Sequence, residues 1–170
     1  DLRGFEWKLY DGLLNWSSIS IDETAEALAV REDGTIVVVT GDFRIQHRDP
    51  ATGRIRKELS LEEPSENVTS LTLSEDGRYL AWTTTRLFVV DCSTGESVFE
   101  IEPTGIGPLR HVGFSTDAGL IYVCGKRPPA GEFAAWDLKK KSPAQLPSVP
   151  SGGRAPFVFN ATARSVARLT

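Results

Sequence analysis

The stretch "LTLSEDGRYLAWTTTRLFVVDCSTG", Leu71 to Gly95, holds two apolar runs, each beside a tight turn built on Asp and Gly. The same pattern recurs on both sides of it. Its first turn, Leu73-Ser74-Glu75-Asp76-Gly77, aligns with Val30-Arg31-Glu32-Asp33-Gly34, Phe114-Ser115-Thr116-Asp117-Ala118 and Phe159-Asn160-Ala161-Thr162-Ala163. The equivalent positions 33, 76, 117 and 162 are 43, 41 and 45 residues apart. Its second turn, Asp91 to Gly95, aligns with Asp49 to Gly53 and with Asp137 to Lys141, at spacings of 42 and 46. Two independent markers keep one period, and a period of this length marks a repeat architecture.

Each turn has a physical reason. The Asp carboxylate accepts hydrogen bonds from backbone N–H groups two residues on, and Gly supplies the positive φ that closes a hairpin. The runs between turns, such as Ile36 to Thr40 and Leu87 to Val90, are short and rich in β-branched residues. Some are apolar at every position, which suits a strand buried on both faces. Each repeat therefore reads as four antiparallel strands. In the second they are Val68–Leu73, Tyr79–Thr83, Leu87–Asp91 and Ser97–Ile101. A small sheet with two apolar faces cannot bury them alone, and radial stacking of such sheets gives a β-propeller.

The Phe/Leu-Ser-x-Asp-Gly turn before an apolar strand, and the strand that ends in Asp, resemble the WD40 repeat. Trp136-Asp137 supplies the family's dipeptide at the end of the third strand of the third repeat. The resemblance covers Ser18 to Thr170. It implies an all-β fold, a partial propeller with blades over 23–62, 66–103 and 108–148 and a partial blade over 154–170. The repeats are degenerate. The family's Gly-His pair is missing from each, with Gly105-Ile106 near its place in the third. The hydrogen-bond network that the His anchors in that family is therefore not available.

Residues 1–17 behave differently. Leu2, Phe5, Leu9, Leu13 and Trp16 form one stripe of an amphipathic helix. A hairpin turning at Asp11-Gly12 is the competing reading. "DLRGFEWKLYDGLL", residues 1–14, also resembles the start of WD40 arrays in large bacterial proteins, many of which carry a Ser/Thr protein kinase domain and a membrane-spanning segment upstream. That resemblance favours the helix. It also implies that Ser18 to Ile21 is an outer strand closing the ring against a last blade. The chain starts at Asp1 and contains no Met, as expected of a piece of a longer product. It holds three complete blades and two partial ones, whereas closed propellers have about four to eight. The remaining blades, or another copy of the chain, are expected to complete the ring.

Composition narrows the function. The 170 residues are 40% hydrophobic and 25% charged, as in an ordinary globular domain. A net charge of −4 gives no electrostatic footprint for nucleic acid. Lys139-Lys140-Lys141 falls in a predicted turn. No apolar run reaches the length of a membrane span, so no membrane insertion by this segment is expected. Cys92 and Cys124 read as free thiols, which favours a cytoplasmic domain, whether or not the whole protein is membrane-anchored. His47 and His111 are each alone in their repeat, so neither a metal nor a cofactor is expected. There is no nucleophile elbow, P-loop or zinc-protease motif. Gly105-Ile106-Gly107 runs into Pro108 and not into a helix. Asp33, Asp76, Asp117 and Asp137 belong to turns. The three Asn-x-Ser/Thr triplets, at Asn15, Asn67 and Asn160, read as coincidence.

What remains is surface. The Asp-Gly turns make one plain face, and the irregular loops share the other. These loops are Gly41-Asp42-Phe43, Thr84-Thr85-Arg86 and Gly125 to Glu132, with Glu66, Arg110 and Arg154 from the inter-blade connections. Variable loops on a rigid ring are the usual binding surface. Asp42, Phe43, Arg86, Arg110, Arg127 and Arg154 are the candidate binding residues. Arg110, Arg127 and Arg154 suit a carboxylate-reading cluster. The expected function is a non-enzymatic scaffold or sensor for a protein or peptide partner, in a kinase-linked protein. The alternative is a fragment of a hydrolase or redox propeller whose active site needs the missing blades.

Overall fold

The computed structural model describes residues 24–103, 106, 108–125 and 133–144, and the backbone of two strands within 157–168. The amphipathic stripe over 1–17 and the closing strand over 18–21 lie outside the described residues. The described residues contain strands and no helix.

Three four-stranded antiparallel sheets follow one another along the chain. The first is β1 (Ala25–Val30), β2 (Ile36–Thr40), β3 (Arg44–Arg48) and β4 (Ile55–Ser60). The second is β5 (Ser70–Leu73), β6 (Tyr79–Thr83), β7 (Leu87–Asp91) and β8 (Ser97–Ile101). The third is β9 (Leu109–Phe114), β10 (Leu120–Gly125), β11 (Phe133–Asp137) and β12 (Ser142–Ala144). A further antiparallel pair, β13 (Phe157–Asn160) and β14 (Ser165–Arg168), begins a fourth. In each complete sheet the strands pair in sequence order, the meander expected of a propeller blade. In the second blade three of the four strands match the sequence reading residue for residue. The first begins at Ser70, two residues later than expected.

The blades stack face to face. Alternate residues of the second blade point to opposite neighbours, as the pleat requires. Leu80, Trp82, Val90 and Cys92 form one buried core with Val37, Val39, Phe43 and Ile45 of the first blade. Ala81, Leu87, Val89 and Phe99 form another with Leu109, Ile121, Val123, Trp136 and Leu138 of the third. β1 lies against β5 and β5 against β9, so the first strand of each blade is the innermost. Polar ties cross the first interface. The buried His47 ring places Nε2 2.7 Å from the Cys92 carbonyl oxygen, and Lys57 Nζ donates to the Ser93 carbonyl at 2.6 Å. Both cysteines are free thiols. Burial pushes the Cys92 thiol up to about 12, which leaves it inert as a nucleophile.

The turns follow the chemistry read from the repeat. Ser74 Oγ donates to Asp76 at 2.6 Å and accepts from the Tyr79 N–H at 2.9 Å. Ser115 repeats both bonds, with Asp117 at 2.6 Å and the Leu120 N–H at 2.9 Å. The first blade has Arg31 at this place, and its turn is one residue shorter. Arg31 N–H bonds the Thr35 carbonyl, whereas Ser74 N–H bonds that of Tyr79. In the second series Asp49 accepts from the N–H groups of Ala51 and Thr52, both at 2.8 Å, and pairs with Arg56. Asp91 and Asp137 cap their turns in the same way.

Gly77 and Gly34 hold φ of +63° and +81°, and in the third blade Ala118 takes this left-handed geometry at φ 48°. An L residue there costs about 1–2 kcal/mol, which Gly avoids. Ala118→Gly is therefore expected to raise stability by up to about 1 kcal/mol, net of the chain entropy that Gly adds. Gly77→Ala is expected to do the opposite. Its Cβ would also meet Val37 at 3.1 Å and Arg31 at 3.2 Å. Urea midpoints of the two variants check this.

A second test concerns acid. The Arg56 guanidinium, then the N–H of Thr52, hold the Asp49 carboxyl at about 2, against an ordinary 3.8. A depressed folded-state value stabilises the fold above the unfolded value and loses that effect as pH falls towards 2. Asp49→Asn keeps a turn acceptor and removes the charge. Its acid-unfolding curve is expected to be flatter than the parent's over that range.

Candidate functional site

Strand register puts the irregular loops on one edge of the stack. The starts of β1, β5 and β9 pair with the ends of β2, β6 and β10. The β2–β3 and β6–β7 loops therefore share a rim with the connections between blades. Hydrogen bonds fasten these parts together. Gly41 N–H bonds the Thr24 carbonyl at 3.3 Å, and Leu61 N–H bonds that of Phe43 at 3.0 Å. Glu66 accepts from Thr85 Oγ1 at 2.7 Å and from the Thr85 N–H at 3.2 Å. The Thr85 hydroxyl is the main reason that the Glu66 carboxyl sits below the usual carboxylate range.

The candidate residues are treated differently by the fold. Asp42 is exposed, accepts from Thr40 Oγ1 at 2.5 Å and pairs with Arg44 Nε at 2.7 Å. The Thr40 hydroxyl is the first cause that lowers its carboxyl. With Thr24, Arg44, Gln46 and Glu58 it lines a polar hollow. Phe43 turns inward. At φ 57° and 8% exposed, it sets its ring edge-on to Trp82 with centroids 5.7 Å apart. Its side chain thus supports the rim from the core. Arg86 is on the rim but engaged, with Nη1 2.5 Å from Glu100 Oε1 and its guanidinium 6.0 Å over the Phe88 ring. Arg110 is exposed on β9, with no ion pair among the described residues. Sheet order separates Arg86, which reaches outward to β8, from Arg110 on an innermost strand. Arg127 and Arg154 lie outside the described residues.

A groove opens beside this rim, about 560 Å³ in volume. One bank is the connector from Leu61 to Glu66, and the other is formed by Arg86, Ser97 and Glu100. The floor is Trp82, Phe88 and Val90, with the Trp82 and Phe88 rings stacked at 5.2 Å and 10°. Glu62, Glu63, Glu66 and Glu100 line it against a single cation, Arg86. The Trp82 indole N–H has no acceptor among the described residues, and neither has that of Trp136. For Trp136 this fits the loss of the His-centred network noted in the sequence.

The sequence reading did not find this groove. In the sequence Trp82 and Phe88 read as strand residues, and the Glu62-Glu63-Pro64 connector carries no repeat marker. Its signal was available in hindsight, as two adjacent acids beside Pro in an inter-blade connection. No group of three His, Cys, Asp or Glu side chains among the described residues is placed to hold a metal. No helix among them is long and apolar enough to cross a membrane.

No protein-family model matches the chain, and no curated protein matches it. Solved structures do. The β-propeller domain of Cps50 (Swd1) from Myceliophteria thermophila is 18% identical, with a TM-score of 0.51 over 79% of this chain and 43% of that one. The WD40 repeats of RRP9 are 16% identical, with a TM-score of 0.52 over 74% of this chain and 39% of theirs. U3-55K gives the same values. The fold is thus that of consecutive WD40-type propeller blades, as the repeat implied. The chain spans about two fifths of the length of these propellers.

Glu66 ties the inter-blade connector to the β6–β7 loop. Glu66→Ala is expected to speed hydrogen exchange at the Thr85 amide several-fold and to leave Val89 and Val90, within the sheet, unchanged. Amide exchange followed by NMR reads both.

Proposed function

We propose that the chain is part of a WD40-type propeller that works as a non-enzymatic scaffold or sensor, binding a protein or peptide on its irregular-loop rim. The observation that carries this reading is the contrast between the two edges of the stack. One edge uses its acids inside uniform turns, as Asp49, Asp76, Asp91, Asp117 and Asp137 do. The other holds loops of unequal sequence, fastened to buried cores, with Asp42 and Arg110 outward and an acidic groove alongside. Rigid support beneath varied loops is the arrangement in which recognition costs little ordering entropy.

Ring completion belongs to the same reading. The faces of the second and third blades that receive the preceding blade are covered. The corresponding face of the first carries Leu28 and Val30, each 57% exposed, and Ile55 at 44%. Further blades of a longer product, or a second copy, would cover these side chains. The resemblance of residues 1–14 to the start of kinase-linked arrays supports placing that product in a kinase-linked protein.

The test is a triple variant, Arg110→Ala, Arg127→Ala and Arg154→Ala. Capture of a natural partner is expected to weaken at least several-fold, with the thermal midpoint nearly unchanged. Unaltered capture would remove these arginines from the binding surface.

A further inference from the structure

We infer that the groove between the Leu61–Glu66 connector and the second blade docks an extended basic peptide segment, one that alternates Lys or Arg with apolar side chains. This rests on the interaction-module reading and names a partner class for a surface beside its rim. Three features of the groove carry it.

The first is charge. Four carboxylates line the groove against one guanidinium, and that guanidinium is already held by Glu100 at 2.5 Å. Glu66 is fixed by Thr85. Glu62 and Glu63 are exposed and make no ion pair among the described residues. Their field attracts cations and repels an acidic segment. Arg86, a candidate binding residue in the sequence, is thereby engaged within the fold.

The second is the floor. Half-buried Phe88, stacked on the buried Trp82, gives with the edges of Trp82 and Val90 a small apolar floor between the two banks. Aromatic faces take both aliphatic stems and cations, and the long stem of Lys or Arg offers both at once. The third is size. A volume of about 560 Å³ suits a few side chains of an extended segment, and not a folded surface. The floor is pre-formed, because Trp82 is packed against Phe43 from the first blade.

The probe is a short fluorescent peptide alternating Lys and Leu, compared with its Glu-for-Lys counterpart on the full chain. Anisotropy at low and high salt measures affinity, and amide and indole NMR shifts map the site. The basic peptide is expected to bind, to weaken with salt, and to shift signals of Glu62 to Glu66 and the Trp82 indole. Glu62→Gln with Glu63→Gln is expected to weaken it about threefold to tenfold, on the scale of two exposed ion pairs. Both side chains are exposed, so the variant should keep the parent's thermal midpoint. Equal binding by this variant, or preference for the acidic peptide, would overturn the inference. So would shifts confined to Arg110 and its neighbours, although these would leave the interaction-module reading standing. Conversely, if the triple arginine variant keeps its partner while the groove shifts persist, the rim assignment falls and the groove stands.

Discussion

A sheet that is apolar on both faces cannot stand alone in water, and the second blade is such a sheet. Leu80 and Ala81 are adjacent in sequence, both fully buried, and buried in different cores. Fully burying a side chain the size of Leu80, or of Leu87 on the other face, stabilises by about 1.5–3 kcal/mol. Neither face can give that up. The chain answers by placing a blade on each side, and each added blade brings a further apolar face. The stacking, the register of the loops and the location of the rim all follow from this demand.

The turn acids serve the same demand at the strand ends. A strand that leaves a buried sheet must reverse without stranding its backbone N–H groups. Asp49, Asp91 and Asp137 each accept two such groups or a group and a cation; Arg56 first holds the Asp49 carboxyl low, and the Lys140 N–H that of Asp137. These carboxylates are committed to geometry. On the opposite edge, the exposed carboxylates of Glu62 and Glu63 make no ion pair among the described residues.

Much of this was legible in the sequence. Two turn series keeping one period fixed the blade count of the described region and most strand limits in the second blade. One detail misled. Aligning Asp33 with Asp76 matches Val37 to Leu80, and Leu80 faces the preceding blade. Yet Val37 faces the following one, in the same core as Leu80. The shorter turn at Arg31 explains it, since a shift of one residue moves a strand's side chains to the other face. His47, read as alone in its repeat, is a buried tie to the Cys92 carbonyl of the next blade.

The sequence by itself determined the repeat, the four-stranded blade and the division into a plain edge and an irregular one. These rest on local chemistry: Asp and Gly at turns, and β-branched runs between them. Only the tertiary structure decided what the loops present. It drew Phe43 inward, bound Arg86 to Glu100, and brought Glu62 and Glu63 beside Trp82 and Phe88. Each of these pairs residues from different strands or different blades. Their meeting depends on how blades pack, and no local pattern carries that information.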